Sequence, residues 1–346
     1  MVRLVRHDMG CRAMALGTRT QFGRLTTAAA LAAVALVTCA WVFYADDRLP
    51  SHSARIGTLT VELPEGSGTG TAFLVGECGI LTNFHVVFGP WYVTALRPPS
   101  HEFVGTFTLT EVTLPGGSHP AARATPVVWG DYLGPDRQLR VPENDWAYLT
   151  LDRCLGRTYG YFDLRDADAP VPVDHGFTAV GYSAGRQMED PACAARANPA
   201  AGSNGWLHDC ALLPGDSGGP IFRGGTLSVV ALASGYRAIS GERGCIPAAA
   251  DAADDPVLAW GGNCANVAVP MSTAIRDRID AADLAVGVQW ELSQLGYDVG
   301  PLGTIEAPQL AEAVRQVERR LGWPETGKPT WAFDKILMVR LAVGSQ

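Results

Sequence analysis

The sequence predicts an all-β domain of many short strands, followed by a small all-α unit and preceded by a membrane-spanning helix. Three observations carry that reading. Thirty-nine glycines and 23 prolines are spread through the middle of the chain between short β-rich runs, the mark of closely spaced turns in a sandwich or barrel. From about residue 272 the apolar spacing changes to a 3.6-residue period, which is helical. Residues 25–44, LTTAAALAAVALVTCAWVFY, carry no charge and are long enough to cross a bilayer as a helix.

Arg3, Arg6, Arg12, Arg19 and Arg24 precede the apolar run against a single acid, Asp8, and Asp46 and Asp47 follow it. That asymmetry puts residues 1–24 in the cytoplasm and the chain beyond about residue 45 in the periplasm or outside. Thr38-Cys39-Ala40 has the small-x-small form of a cleavage site, but the apolar run continues past it through 41–44. Segment 25–45 is therefore expected to stay as a signal anchor in the inner membrane; cleavage would instead release a secreted protein.

A polar joint (46–55) leads into IGTLTVE (56–62), whose alternation reads as a strand. GSGTGTAFLVGECGILTNFHVV (66–87) reads as a strand, a glycine hairpin and a second strand. Further strands are expected at 103–112, 146–151, 176–182, 206–212, 219–223 and 226–235. Helices are expected at 284–296, 307–322 and 330–342, with Gly296 and Gly322 as stops, Pro324 beyond and Thr330 as a cap. The β domain then spans 56–280 and the helical unit 281–346.

A net charge of −8 with no Lys/Arg stripe excludes a nucleic-acid footprint. Eight cysteines include no C-x-x-C, and no H-E-x-x-H occurs, so no metal or other cofactor is expected. Six cysteines lie beyond residue 50. An even number suits disulfides in an oxidising compartment, with fifteen possible connectivities.

The chemistry starts from Gly215-Asp216-Ser217-Gly218-Gly219-Pro220. A serine hydroxyl becomes a nucleophile only when a base takes its proton and donors meet the developing oxyanion. Glycines beside Ser217 let the N–H groups of Gly215 and Ser217 converge as that oxyanion hole. His85, at the end of the run Ile80-Leu81-Thr82-Asn83-Phe84, is the candidate base. The other six histidines fall in turn-like contexts, where a solvated surface role is the ordinary one. Asp145, just before the strand Trp146-Ala147-Tyr148-Leu149, is the candidate carboxylate that orients the imidazole. The order His, Asp, Ser runs along the chain with separations of 60 and 72 residues.

TNFHVV, NDWAYLTL and GDSGGPIF, in that order, resemble the bacterial branch of the trypsin-like, chymotrypsin-fold serine peptidases over residues 56 to about 278. The resemblance implies two six-stranded antiparallel β-barrels with the triad between them, His85 and Asp145 from the first and Ser217 from the second. It also implies that Ala231-Leu232-Ala233-Ser234-Gly235 pairs with the substrate backbone, that Ser234 bonds the triad carboxylate, and that Cys193 pairs with Cys210. Cys78 with Cys154, and Cys245 with Cys264, follow by elimination. The position that floors the primary specificity pocket in the animal enzymes is Ala211 here, so a basic side chain is not the expected preference. Arg55-Ile56-Gly57 resembles a zymogen activation site, but it lies where the first strand is expected, so the protein reads as ready-folded.

Gln289, Leu295-Gly296-Tyr297-Asp298 and Leu321-Gly322-Trp323-Pro324-Glu325-Thr326-Gly327 resemble a small three-helix peptidoglycan-binding domain. Pro301-Leu302-Gly303-Thr304 and Val317-Glu318 replace that family's central turn and its Phe-Gln pair, which leaves a three-helix cap or spacer as the other reading. The expected function is an exported serine endopeptidase of the cell envelope acting on a protein or peptide. A catalytically silent envelope-binding module and an esterase using the same triad are the alternatives.

Overall fold

A computed structural model describes residues 52–63, 66–95, 103–132, 142–164, 174–183, 185–197, 205–223, 226–238 and 264–344. The apolar segment 25–45, the residues before it and Cys245 lie outside these. Among the described residues, no helix is long and apolar enough to cross a membrane.

Six antiparallel strands close a first barrel: β1 (Ile56–Leu63), β2 (Gly66–Leu74), β3 (Gly79–Thr82), β4 (Gly105–Thr108), β5 (Ala121–Trp129) and β6 (Ala147–Leu151). They run round it in the order β1-β2-β3-β6-β5-β4. A second barrel takes β7 (Asp174–Ser183), β8 (Arg186–Ala197), β9 (Trp206–His208), β10 (Pro220–Arg223), β11 (Val229–Ala238) and β12 (Cys264–Pro270), in the order β10-β11-β12-β9-β8-β7. Closure removes the unpaired edges that an open sheet would expose.

The two faces of the strands serve two cores. Leu59, Leu74, Ile80, Phe107 and Leu149 fill the first barrel. Their neighbours one residue along, including Phe73, Leu81 and Tyr148, point the other way and join Val180, Leu232 and Val269 of the second barrel in one cluster. Because side chains alternate with period 2, a strand buried on both faces reads as a continuous apolar run. β3 and β6 are buried at every position.

Helix α1 (Phe84–Ala95) follows β3, and α2 (Leu155–Tyr159) opens the passage between the barrels. α3 (Thr273–Gln294) starts from Ser272, whose hydroxyl accepts from the Ile275 N–H. Its Ile275, Ile279 and Val286 pack on the inter-barrel cluster, while Val288 and Leu292 belong to the core of the helical unit. α4 (Pro308–Leu321) ends at Gly322 with φ 70°, the left-handed stop that glycine favours. Thr330 accepts from the Phe333 N–H at 3.2 Å ahead of α5 (Trp331–Gly344).

Two buried side chains pin the loops of that unit. Gln289 donates to the carbonyls of Val299 and Pro301 (3.0 and 2.9 Å) and accepts from the Gly303 N–H (2.9 Å). Glu318 accepts from the Thr326 hydroxyl (2.6 Å) and the Gly327 N–H (2.9 Å).

Several expectations need amendment. The run through His85 is not strand to its end: β3 stops at Thr82 and His85 sits in the first turn of α1. β5, β8 and β12 carried too weak an alternation to be anticipated, and the strand expected at 206–212 is only three residues long. His208 is not a surface histidine; it is buried in β9 at 1% exposure, and that burial pulls its pKa down to about 4. The first helix begins at 273 rather than 284, so the boundary expected at 280/281 falls inside one unbroken helix. The last residues of the expected joint form a short turn, His52–Arg55, whose buried Arg55 donates to the carbonyls of Tyr159 and Tyr161 (3.3 and 3.4 Å).

Candidate active site

Asp145 has no exposed surface. Its Oδ1 accepts from the His85 backbone N–H at 2.9 Å, and its Oδ2 faces His85 Nδ1 at 2.7 Å. A carboxylate only accepts, so Nδ1 holds the proton and Nε2 is the basic nitrogen. The early start of α1 supplies this geometry, because the N–H of its first turn is not used by the helix. Asn83 steadies the same segment by donating to the Asp145 carbonyl at 2.7 Å.

Ser234 donates its hydroxyl to Asp145 Oδ2. The β11–β12 register shifts between Ala233 and Gly235. An inserted residue in a bulge re-aims its side chain, and here it is Ser234 that leaves the ladder and meets the carboxylate.

Ser217 is held against β2 of the first barrel by its backbone. The Thr71 N–H donates to the Ser217 carbonyl (2.8 Å), and the Thr71 hydroxyl donates to the Gly215 carbonyl (2.9 Å). The same hydroxyl accepts from the Tyr182 N–H (2.8 Å). Gly70 is wedged between Val86 and Ser217: a Cβ there would stand 2.7 Å from Val86 and 3.1 Å from the Ser217 carbonyl oxygen. Ser217 and the His85 turn therefore share one neighbour. Gly218, at φ 88°, admits no side chain, since a Cβ would lie 2.2 Å from both the Thr71 carbonyl and the Thr82 hydroxyl. Gly215, at φ 108°, occupies a backbone region few other residues adopt.

Of the remaining expected residues, Gly235 also has φ 108°, and open space surrounds its missing side chain. Ala211 lies outside the hydrogen bonds that join His85, Asp145 and Ser234; its N–H donates to Asp190 Oδ2 at 2.8 Å. Cys193 and Cys210 form a disulfide, as do Cys78 and Cys154. Asp216 is buried, with Oδ2 accepting from the Leu213 N–H (2.7 Å), and burial raises its pKa. Ile56 is the first residue of β1, paired with Phe73. Thr71 and Thr82 escaped sequence reasoning. Threonine in a strand is unremarkable by composition, and nothing local marks a contact with a segment about 145 residues away.

Residues 70–232 match the family model described as "Trypsin-like peptidase domain", and residues 285–332 match "Putative peptidoglycan binding domain". No curated protein matches the chain. Among solved structures, a thermostable serine protease from an extremophilic microorganism aligns at 17% identity and TM-score 0.41, over 54% of this chain and 86% of its own. A Glu endopeptidase bound to MPD aligns at 16% and 0.43, over 69% and 94%. The protease Anisep from Arthrobacter nicotinovorans aligns at 16% and 0.41, over 54% and 85%.

Proposed function

The chain is a serine endopeptidase with a trypsin-like peptidase domain ahead of a peptidoglycan-binding-type domain, and on that premise we propose that His85, Asp145 and Ser217 form its catalytic triad. The observation that carries this reading is the three-donor arrangement at Asp145, which fixes the His85 tautomer and leaves Nε2 to act as base. Ser217 Oγ attacks the carbonyl carbon of a peptide while His85 Nε2 takes its proton. Asp145 stabilises the imidazolium, and the N–H groups of Gly215 and Ser217 meet the oxyanion. Collapse of the tetrahedral species breaks the C–N bond, and the proton on Nε2 leaves with the amine. Water, activated by the same nitrogen, then hydrolyses the acyl-enzyme.

Ala211 leaves the primary pocket without a carboxylate of its own at that position, so the proposed preference is for a small or uncharged side chain. Export and anchoring by 25–45 would place the enzyme in the cell envelope, facing away from the cytoplasm. Residues 281–346 would then hold it near peptidoglycan.

A fluorophosphonate probe tests the nucleophile. The full chain labels and Ser217→Ala does not; a folded, unlabelled native chain would overturn the assignment. Ser217→Ala or His85→Ala lowers kcat by roughly 10⁶-fold in a peptide-hydrolysis assay. Because α3 runs through the 280/281 boundary, glycan binding is best read by cosedimentation of the intact Ser217→Ala chain with insoluble peptidoglycan. The expected outcome is retention in the pellet.

A further inference from the structure

A second concave site lies where the first barrel, the passage between barrels and the helical unit meet. It is a cavity of about 410 Å³, walled by the β2–β3 turn, residues 161–164, one face of α3 and the first turns of α5. Glu77, Asp163, Asp280, Asp283, Glu291 and Asp334 line it, and Lys335 is the only cationic side chain among its described lining residues. Residues 280, 283, 287 and 291 share one stripe of α3 by their helical spacing. Gly287 on that stripe faces Asp334 of α5, with 3.7 Å, an ordinary contact distance, between the site of its missing Cβ and Asp334 Oδ1.

Glu291 distinguishes this cluster from a solvated acidic surface. Its side chain is 2% exposed, and its Oε1 lies 3.7 Å from Arg157, which is already engaged by Glu77 at 2.5 Å and stacked over Trp290. Its Oε2 is shut off from solvent with no hydrogen-bond partner. A buried acceptor left in that condition costs on the order of 1–3 kcal/mol, more when charged. At the mouth stand two large aromatic side chains, Tyr161 and Trp331, 48% and 57% exposed. Val75, Leu284 and Met338 supply apolar wall between them and the carboxylates.

From this arrangement we infer that the cavity binds an organic cation, a primary ammonium or guanidinium carried on an aliphatic stem. The head group donates to the carboxylates exposed in the cavity, its charge offsets that of buried Glu291, the stem lies on the apolar wall, and the aromatic rings face the positive charge. The carboxylates come from four separate segments, and among the described residues no three metal-ligating side chains converge. An extended cation fits that distribution better than a point ion.

The proton now plays the part assigned to this ligand. Burial first, then Asp334 and Glu77, push the Glu291 pKa up to about 7 against the opposing pull of Arg157 and Lys335. Burial lifts Asp283 to about 6, with its Tyr148 hydrogen bond opposing, and Asp280 and Asp334 are raised as well. Cation binding therefore strengthens as pH rises through 6 to 7 and these groups ionise. The lining contains none of the residues assigned to peptide hydrolysis, so this inference stands or falls separately.

Isothermal titration calorimetry on the full chain at low salt tests it, with 1,5-diaminopentane and Nα-acetyl-lysine amide as probes. The expected result at pH 8 is one saturable site, weakened at least ~10-fold at pH 5. A tighter diamine identifies a free polyamine as the source, and a tighter lysine amide a peptide side chain. Glu291→Gln weakens binding at least ~10-fold, and so does Trp331→Ala, whose exposed ring can be removed without disturbing the core. Heats no different from sodium chloride at matched ionic strength would overturn the inference. So would native affinity in a folded Glu291→Gln chain, or displacement of both probes by equimolar calcium.

Discussion

A carboxylate with no exposed surface needs donors in place of its water. Asp145 has three: the His85 N–H, the His85 imidazole and the Ser234 hydroxyl. Thr71 plays the matching part for Ser217, tying its turn in the second barrel to a strand of the first. Thr71→Val keeps shape and backbone but removes the hydroxyl, stranding the Gly215 carbonyl and the Tyr182 N–H in the interior. Each stranded group costs roughly 1–3 kcal/mol, so the variant should melt at lower temperature. Steady-state kinetics should show kcat falling with KM little changed, because the loosened turn carries the proposed oxyanion donors rather than the substrate pocket. The proposed triad was legible in the sequence, Ser217 from its glycine-rich motif, His85 from context and chain order, and Asp145 chiefly from the order His, Asp, Ser. Thr71 was not, because its importance arises from partners more than 100 positions away.

Among the elements, α3 has two owners. Its first half packs on the inter-barrel cluster and its second half on the core of the helical unit. Arg278 fastens it further, donating to the Trp129 carbonyl at 2.9 Å and lying over the Trp146 ring. A helix anchored at both ends conveys position, so the helical unit is held against the barrel rather than swung on a linker. Gly303 reports the same closeness, since a Cβ there would lie 2.8 Å from Thr150 of β6. Glu318 organises the α4–α5 loop where the related family carries glutamine. Glu318→Ala removes both acceptors for Thr326 and Gly327. Hydrogen exchange should show the Gly327 amide losing protection while the barrel strands keep theirs. The sequence revealed α4 and α5 through their caps, Gly322 and Thr330. By starting α3 at 284 it missed the first half of that helix, whose buried residues face the barrels.

At the scale of the whole molecule, the junction carboxylates set a pH dependence. Asp283 titrates near its ordinary 3.8 when unfolded and at about 6 when folded, so between those values the folded chain holds the extra proton. The stability that proton contributes is complete below about 4 and is lost as pH rises through 6. Asp283→Asn keeps an acceptor for the Tyr148 hydroxyl but removes the charge. It should leave the melting temperature at pH 4 nearly unchanged and gain on the order of 2 kcal/mol at pH 8, read by scanning calorimetry. His208 works in the opposite sense. Its folded pKa of about 4 lies below its ordinary 6.5, so its contribution is full above 6.5 and fades as pH falls toward 4. Between about 4 and 6.5 the two contributions run in opposite directions and largely cancel, so this pair leaves little net pH dependence in the native chain. The sequence by itself determined the peptidase class, the barrel class and the helical appendage, because motifs, turn residues and periodicity are local properties of a chain. Tertiary structure alone decided which threonine ties down the Ser217 turn, which helix joins the barrels to the helical unit, and that carboxylates from four segments share one cavity. Those are facts of proximity between distant residues, and only the closing of the barrels creates them.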